Sequence, residues 1–560
     1  MREFRTTLMI AIIVLAFCAR KEEKIAGEPG GRLVIGTLEL PERLSPLEPS
    51  VFSSNDLLEL IFLRLHAFDP ATGKMVPVLA ESWEFSEDLK SLTYYLRKNI
   101  TWWDGTAVTA HDVLYTYQQM KDPATGHPNV NALRFISEVR VINDYAVKFT
   151  FDKVYADILT DSDIMPVPRH IHEQVGSDFG RYPVGNGPYR IREWIVGSGI
   201  ALEANDDYFR GRPPLDEIVV RYYANAPQMF GDFSAGDLDL IFNIAPAAAQ
   251  ELRRDKDVTI HSRPGDTYLY IAWNQDHPFL KERAVREALA MTVDRKRMVN
   301  EIYGGMAELS RGPLPPSSWG YDEAVEMIDH NVDQARAMLE AQGFVDFNRN
   351  RLIDKDRKDF TLRIITNAES PDRVAILRYV AEDLQQIGVR VVPQVLAAND
   401  FVAALVDRQF DAFIMGWHVA DKIDPAVIWH SEGRYNLVSY ANATADSLID
   451  TGIAMLDRNS AKEVWNEFQK VVYEDQPYLF LVVPDDISAT YDFVKGVGPG
   501  LGLANAHNYW IPASERRATA VALVREVEPS AETLTREAAP ASAPESIAMP
   551  DVQPTLVIAP

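Results

Sequence analysis

An α/β fold in several lobes is predicted by three features of the sequence. A βαβαβ pattern runs from Phe360 to Gly416. Strand and helix periods alternate through most of the remaining body. The 560 residues, 47% of them hydrophobic, exceed what one ordinary core holds, so roughly two to four lobes are expected.

The elements follow in order. Leu33-Val34-Ile35-Gly36-Thr37 is an apolar run bounded by Gly and Pro, a buried strand. Thr267 to Asn274 alternates, with Leu269, Ile271 and Trp273 on one face, a second strand. From Lys281 to Tyr303, Val285, Leu289 and Val293 recur at helical spacing, and Gly304-Gly305 ends the helix. Phe360 to Thr366 is a strand. Ser370-Pro371 supplies an N-cap and a first-turn proline. Val374, Leu377, Val380, Leu384 and Ile387 form the apolar face of the helix that follows, and Gly388 closes it. Val389 to Val395 is the next strand, Phe401 to Asp407 a helix, and Asp411 to Gly416 the third strand.

This unit implies parallel strands joined by right-handed crossovers. In such sheets ligands sit beyond the carboxyl ends of the strands. The segment Trp417-His418-Val419-Ala420-Asp421-Lys422-Ile423-Asp424-Pro425 leaves the third strand and is the candidate site by topology. Trp417 and His418 are candidate ligand contacts, together with Trp273 and Asn274 at another strand end. Aromatic rings with a few polar groups at strand termini describe a small-molecule cleft. Each of Trp273, Trp417 and Trp429 taken alone fits a core equally well.

The two ends differ from the body. Arg2 and Arg5 precede Leu8 to Phe17, an uncharged stretch about half as long as the ~20 residues a membrane span needs. That length suits the apolar region of a secretory signal. Leu15-Ala16-Phe17-Cys18 resembles a bacterial lipobox, whose cysteine is lipidated, with Phe17 where such boxes carry a small residue. A signal cut nearby without lipidation, or an uncut anchor, is the alternative. Cys18 is the single cysteine, which rules out an intramolecular disulfide and a Cys-based metal cluster. Gly30-Gly31 closes a short linker. Residues 518–560 turn to Ala, Pro, Glu, Ser and Thr, too little apolar surface to offset ordering entropy, so a disordered tail is expected. A formal net charge of -25 repels phosphate backbones and argues against nucleic acid as a partner.

No catalytic signature stands out. Gly-x-Ser-x-Gly, His-Glu-x-x-His and a phosphate-binding loop are absent from the sequence. No enzyme activity and no cofactor is expected. His170-x-His172-Glu173 has the ligand types for a metal but lacks further ligands, and reads as surface. Asp346-x-Asn348-x-Asn350 with Asp354 opens like a calcium loop. Arg351 replaces its glycine and Arg357 its closing glutamate, so a polar turn is the better reading. His418 and His430 have transition-metal chemistry, but stacking and capping roles are preferred. No metal site is assigned.

A longer pattern is more specific. Leu79-Ala80-Glu81-Ser82-Trp83-Glu84-Phe85-Ser86 is followed by Leu96-Arg97-Lys98, Trp103-Asp104-Gly105-Thr106 and Thr109-Ala110-His111-Asp112-Val113. Pro183-Val184-Gly185-Asn186-Gly187-Pro188-Tyr189 comes next, then Asn205, Tyr208, Gly211, Pro213 and Asp216-Glu217-Ile218. Val285-Arg286-x-Ala288-Leu289 with Asp294-Arg295 completes it. In this order and spacing, from about Leu33 to Val497, the chain resembles the family 5 extracellular solute-binding proteins, the oligopeptide- and dipeptide-binding group. Asn186 stands where the family's Gly-Thr-Gly-Pro-Tyr segment has Thr.

The resemblance implies a two-lobed periplasmic-binding-protein (Venus flytrap) fold with an extra domain inserted in the first lobe. The expected division is signal 1–18, linker 19–31, first lobe 32–67, insert 68–194, first lobe 195–275, second lobe 276–483, first lobe 484–517 and tail 518–560. Thr267 to Asn274 and Leu479 to Pro484 are the expected lobe-crossing segments. The resemblance also implies that an Asp after the last parallel strand, here Asp421, pairs with a peptide's α-ammonium, while Asp424-Pro425 caps the next helix. A charge-assisted hydrogen bond of that kind contributes about 1.5–3 kcal/mol.

The function so implied is the binding subunit of an ABC importer. It is expected to be a monomer that captures short peptides between its lobes and delivers them to permease and ATPase subunits. It would work in the periplasm or cell envelope and meet the membrane only through lipid on Cys18. The alternatives are a non-peptide solute (oligosaccharide, nickel chelate, opine or haem), a surface sensor or peptide chaperone and, more distantly, an exported hydrolase.

Overall fold

The computed structural model describes residues 29–517, except 40, 49–51, 70–73, 128–129, 156, 420–422, 456 and 499–501. Cys18, Asp421 and the 518–560 tail lie outside the described residues. Among the described residues, no helix is long and apolar enough to cross a membrane.

Two mixed sheets make the two lobes. The first has the order Val258–Pro264, Val482–Tyr491, Leu240–Ile241, Arg32–Thr37, Glu217–Tyr222, Gly199–Ala204, Tyr189–Ile195, with Ala307–Leu309 added beside Val482. The second has the order Arg390–Leu396, Thr361–Asn367, Ala412–His418, Thr267–Trp273, Tyr478–Phe480. A third, antiparallel sheet carries the inserted domain: Ala80–Phe85, Ser91–Leu96, Ala146–Phe151, Ile136–Asn143. The inserted domain shares one apolar core with the first lobe.

The βαβαβ unit is present. Thr361–Asn367 runs parallel to both Arg390–Leu396 and Ala412–His418. Helix Pro371–Gln385 buries Leu377, Val380 and Leu384 of the face that the spacing predicts, and Ile387 is buried just beyond it, while Val374 is only half-buried and Ile376 joins the core instead. Thr267–Trp273 is buried on both sides, because helices cover both faces of the second sheet. Leu269, Ile271 and Trp273 join one core, and Tyr268, Tyr270 and Ala272 the other. The single helix expected over 281–303 is two, Arg283–Thr292 and Arg295–Glu301. Val293 is extended, and the Asp294 side chain accepts the Arg297 amide at 3.0 Å to start the second helix.

Several residues of the family pattern serve packing. The Gly187 amide bonds the Ile61 carbonyl at 2.7 Å, and Asn186 Oδ1 accepts the Leu63 amide at 2.8 Å. A Cβ on Gly185 would lie 2.0 Å from the Ile61 carbonyl oxygen, so only glycine lets this loop close on helix Phe52–Ile61. Asp112 takes the Thr109 amide at 2.8 Å in a capping box and the Arg169 amide at 3.0 Å.

The lobes are joined by adjacent crossings. Val258–Pro264 pairs in the first sheet and Thr267–Trp273 in the second, so this crossing falls at Gly265-Asp266, ahead of the segment expected from sequence. The strand itself is already part of the second lobe. The other crossing is at Leu481, between Tyr478–Phe480 and Val482–Tyr491. The Gly265 amide bonds the Pro484 carbonyl at 3.0 Å, and the Leu481 amide bonds the Leu269 carbonyl at 2.9 Å. The two crossings are therefore stitched together as a short double hinge.

Candidate functional site

A cavity of about 320 Å³ lies where the inserted domain and first lobe face the second lobe. Its size is at the lower end of the range for ligand sites, roughly 300–1,000 Å³. One wall carries Arg64, His66 and Phe68, at and just before strand His66–Asp69, with Asp163 beside them. Asp266 comes from the hinge. Trp319, Val419 and Arg458 come from the second lobe.

The charges in this wall are ordered. Arg64 pairs with Asp163 at 3.0 Å and with Glu59 at 3.4 Å. His66 is almost fully buried, and its Nε2 contacts the Leu159 carbonyl and the Tyr94 hydroxyl, both at 3.1 Å. The carbonyl contact requires a proton on Nε2, which leaves Nδ1 as an acceptor in the neutral ring. Burial lowers the His66 pKa against the opposing pull of Asp163, so the ring stays neutral. Among the described residues, three buried polar atoms of side chains around this cavity find no hydrogen-bond partner: His66 Nδ1, Ser318 Oγ and Trp319 Nε1.

The hinge side is acidic. Asp486 pairs with Arg263 at 3.1 Å, and its pKa is raised by burial, against Arg263 and with Asp266 adding to the rise. His418 also acts on this carboxylate, which places it at the hinge. Burial and Glu59 push the Asp56 carboxyl up to about 6, although it accepts the Leu503 and Ala504 amides.

Of the predicted site residues, Trp417 and His418 meet. They line a neighbouring pocket of about 170 Å³ with Tyr268, Ile423 and Trp429. Val419 lines both cavities. Asp421 sits in the undescribed segment between Val419 and Ile423. Trp273 and Asn274 lie elsewhere. Thr267–Trp273 runs antiparallel to Ala412–His418, so Trp273 stands opposite Ala412 while Thr267 stands opposite His418. Six strand steps separate those ends, about 20 Å. Trp273 is fully buried in a core, and Asn274 holds a turn through the Phe410 carbonyl at 3.1 Å and the Asp276 amide at 3.1 Å. Both are withdrawn from the ligand set.

The secondary motifs are also accounted for. His170 contacts Asp104 at 2.6 Å, His172 contacts Tyr115 at 2.8 Å, and Glu173 pairs with Arg169 at 2.8 Å. Asp346 caps its own loop through the Asn350 and Arg351 amides, both at 3.0 Å. Asp424 Oδ1 faces the Ala426 amide at 3.4 Å, a weak cap, while Oδ2 takes Arg134 of the inserted domain at 2.9 Å.

The family of bacterial extracellular solute-binding proteins, family 5 Middle, matches residues 74–435. The chain belongs to this family. Among other members, the oligopeptide-binding protein AppA of Bacillus subtilis is 29% identical over 534 residues, 90% of this chain and 98% of that protein. Heme-binding protein A of Haemophilus influenzae is 24% identical, over 84% of this chain and 92% of that one. The solved structure of AppA from Bacillus subtilis in complex with a nonapeptide superposes with a TM-score of 0.71 at 28% identity, covering 87% of this chain and all of that one. The family's two-lobed architecture agrees with the sheet order found here.

Sequence reasoning missed most of the cavity. Arg64, His66, Asp163, Trp319 and Arg458 are spread over nearly four hundred positions and sit in no local motif. Only the fold brings them together.

Proposed function

We propose that this protein is the extracytoplasmic binding subunit of an ABC importer and that its cargo is short peptides. The observation that carries this is the interlobe cavity, ringed by charged and aromatic side chains. The relative at 29% identity over nine-tenths of the chain is an oligopeptide-binding protein. The role is capture rather than catalysis, and delivery is to a membrane permease with its ATPase subunits. Trp417 and His418 border the ligand, with Asp421 as the anchor for a free ammonium. Export by the N-terminal signal and lipidation of Cys18 place the protein at the cell envelope, as a monomer. Incorporation of labelled palmitate by the wild type, and its loss in Cys18→Ala, is the expected result for the anchor.

The test of cargo is native mass spectrometry of the purified protein offered a mixed di- to pentapeptide pool. A one-to-one complex with peptides is expected. Indifference to every peptide, or co-purification with haem or a metal chelate, sinks the peptide reading and leaves the transport role.

A further inference from the structure

The first sheet ends on an open edge. Strand Tyr189–Ile195 bonds Gly199–Ala204 on one side, and among the described residues no strand lies on the other. Such an edge presents free N–H and C=O groups to any extended chain that comes alongside. A groove of about 570 Å³ lies beside it, with Tyr182, Ile191, Trp194 and Val196 in its lining. Tyr182 is 80% exposed and Val196 56%. Apolar side chains this open, next to unpaired backbone, fit an added strand that buries alternate side chains.

The chain itself carries such a strand. In the Ala-, Pro- and Glu-rich segment 518–560, Thr555-Leu556-Val557-Ile558-Ala559 is rich in β-branched residues and is bounded by Pro554 and Pro560. When it is extended, Leu556 and Ile558 share one side. The point of departure is close. Arg517 pairs with Asp239 at 2.6 Å, and Asp239 accepts the Val34 amide at 2.7 Å. From Val34 the row Val219, Ala201, Glu193 crosses the sheet to the open edge, three strand spacings or about 14 Å. The 37 residues 518–554 cover that distance with slack, reaching about 30 Å even as a random coil. The tether holds the run near the edge at high effective concentration. The other apolar run of this segment, Val521-Ala522-Leu523-Val524, starts too soon after Arg517 to reach round the sheet. A second copy fits less well, because the edge strand shifts register between Ile191 and Glu193, and a bulge disfavours edge-to-edge pairing.

We propose that residues 555–559 add to the first lobe's sheet as a further strand beside Tyr189–Ile195, with Leu556 and Ile558 in the groove. The tail is then looped back on the first lobe, and the open edge is closed to other chains. The groove shares no lining residue with the interlobe cavity, so the docked tail leaves the cleft free whatever the cargo.

Hydrogen–deuterium exchange of the full chain, read by mass spectrometry over residues 189–195, tests this. Wild type is compared with Leu556→Asp/Ile558→Asp, which alters only the tail. The amides of 189–195 are expected to exchange about tenfold faster in the double variant. Tyr182→Asp, on the groove wall, is expected to free the same amides with the tail intact. Equal exchange in wild type and double variant overturns the docking. Protection that grows with protein concentration gives the edge to a second copy and overturns it as well. Should Tyr182→Asp lower the melting temperature, the tail variant decides alone.

Discussion

Asp56 shows what a single half-buried carboxyl does to this fold. Its folded pKa is about 6, against an ordinary 3.8, because burial and Glu59 disfavour the charge more than the Leu503 and Ala504 amides favour it. The folded state therefore holds a proton that the unfolded chain has released between those values. The stabilisation is complete below about 3.8 and is lost as pH rises through 6. Asn carries no charge at any pH, so Asp56→Asn removes this term. Relative to wild type, the variant should gain up to about 3 kcal/mol between pH 4 and pH 7, less whatever solvent screening removes. Urea midpoints for both proteins across that range test it. Parallel curves would show that Asp56 is not protonated in the fold. The buried His66 pulls the other way, since its lowered pKa makes acid unfavourable, so the difference between the two proteins matters rather than either profile alone.

At the scale of elements, the loop Pro183 to Tyr189 ties the inserted domain to the first lobe. Gly185 has no room for a side chain, with the Ile61 carbonyl oxygen 2.0 Å from where a Cβ would be and Trp103 at 2.8 Å. Gly185→Ala must push back the end of helix Phe52–Ile61, and a loss of roughly 3 kcal/mol is expected in chemical unfolding, in line with overpacking. A wild-type midpoint in that variant would mean the loop can move away at little cost. The glycines were legible in the sequence as part of a family pattern, but their reason was not, because the partner backbone is more than a hundred residues away. The same division holds elsewhere. The helix Pro371–Gln385 and its flanking strands were legible because cap, apolar period and stop are local. The direction of Thr267–Trp273 was not. Apolar alternation tells which residues face a core and says nothing about whether a strand enters its sheet parallel or antiparallel. Trp273 and Trp417 were both candidate ligand contacts at strand ends, and the antiparallel pairing puts them at opposite ends of the two strands.

For the whole molecule, the central property is the balance between open and closed lobes. The double hinge at Gly265-Asp266 and Leu481 leaves few backbone bonds to resist opening, so side chains across the cleft carry weight. One such contact spans the rim. Arg134, from the inserted domain, meets Asp424 of the second lobe at 2.9 Å. Arg134 is 40% exposed and Asp424 17%, so the pair is partly solvated and contributes about 0.2–1 kcal/mol to closure. Arg134→Gln should release bound ligand up to about fivefold faster and leave the association rate nearly unchanged, because the pair forms after ligand has entered. Raising the salt concentration should shrink the gap between variant and wild type, as screening weakens the pair in the wild type alone. Stopped-flow dissociation at low and high salt measures both effects. Asp424→Asn also weakens the cap on the Ala426 amide, so the double variant with Arg134→Gln is needed to isolate the pair. If the two single variants are strictly additive, Arg134 and Asp424 do not act together on release, and other contacts across the cleft hold the closed form.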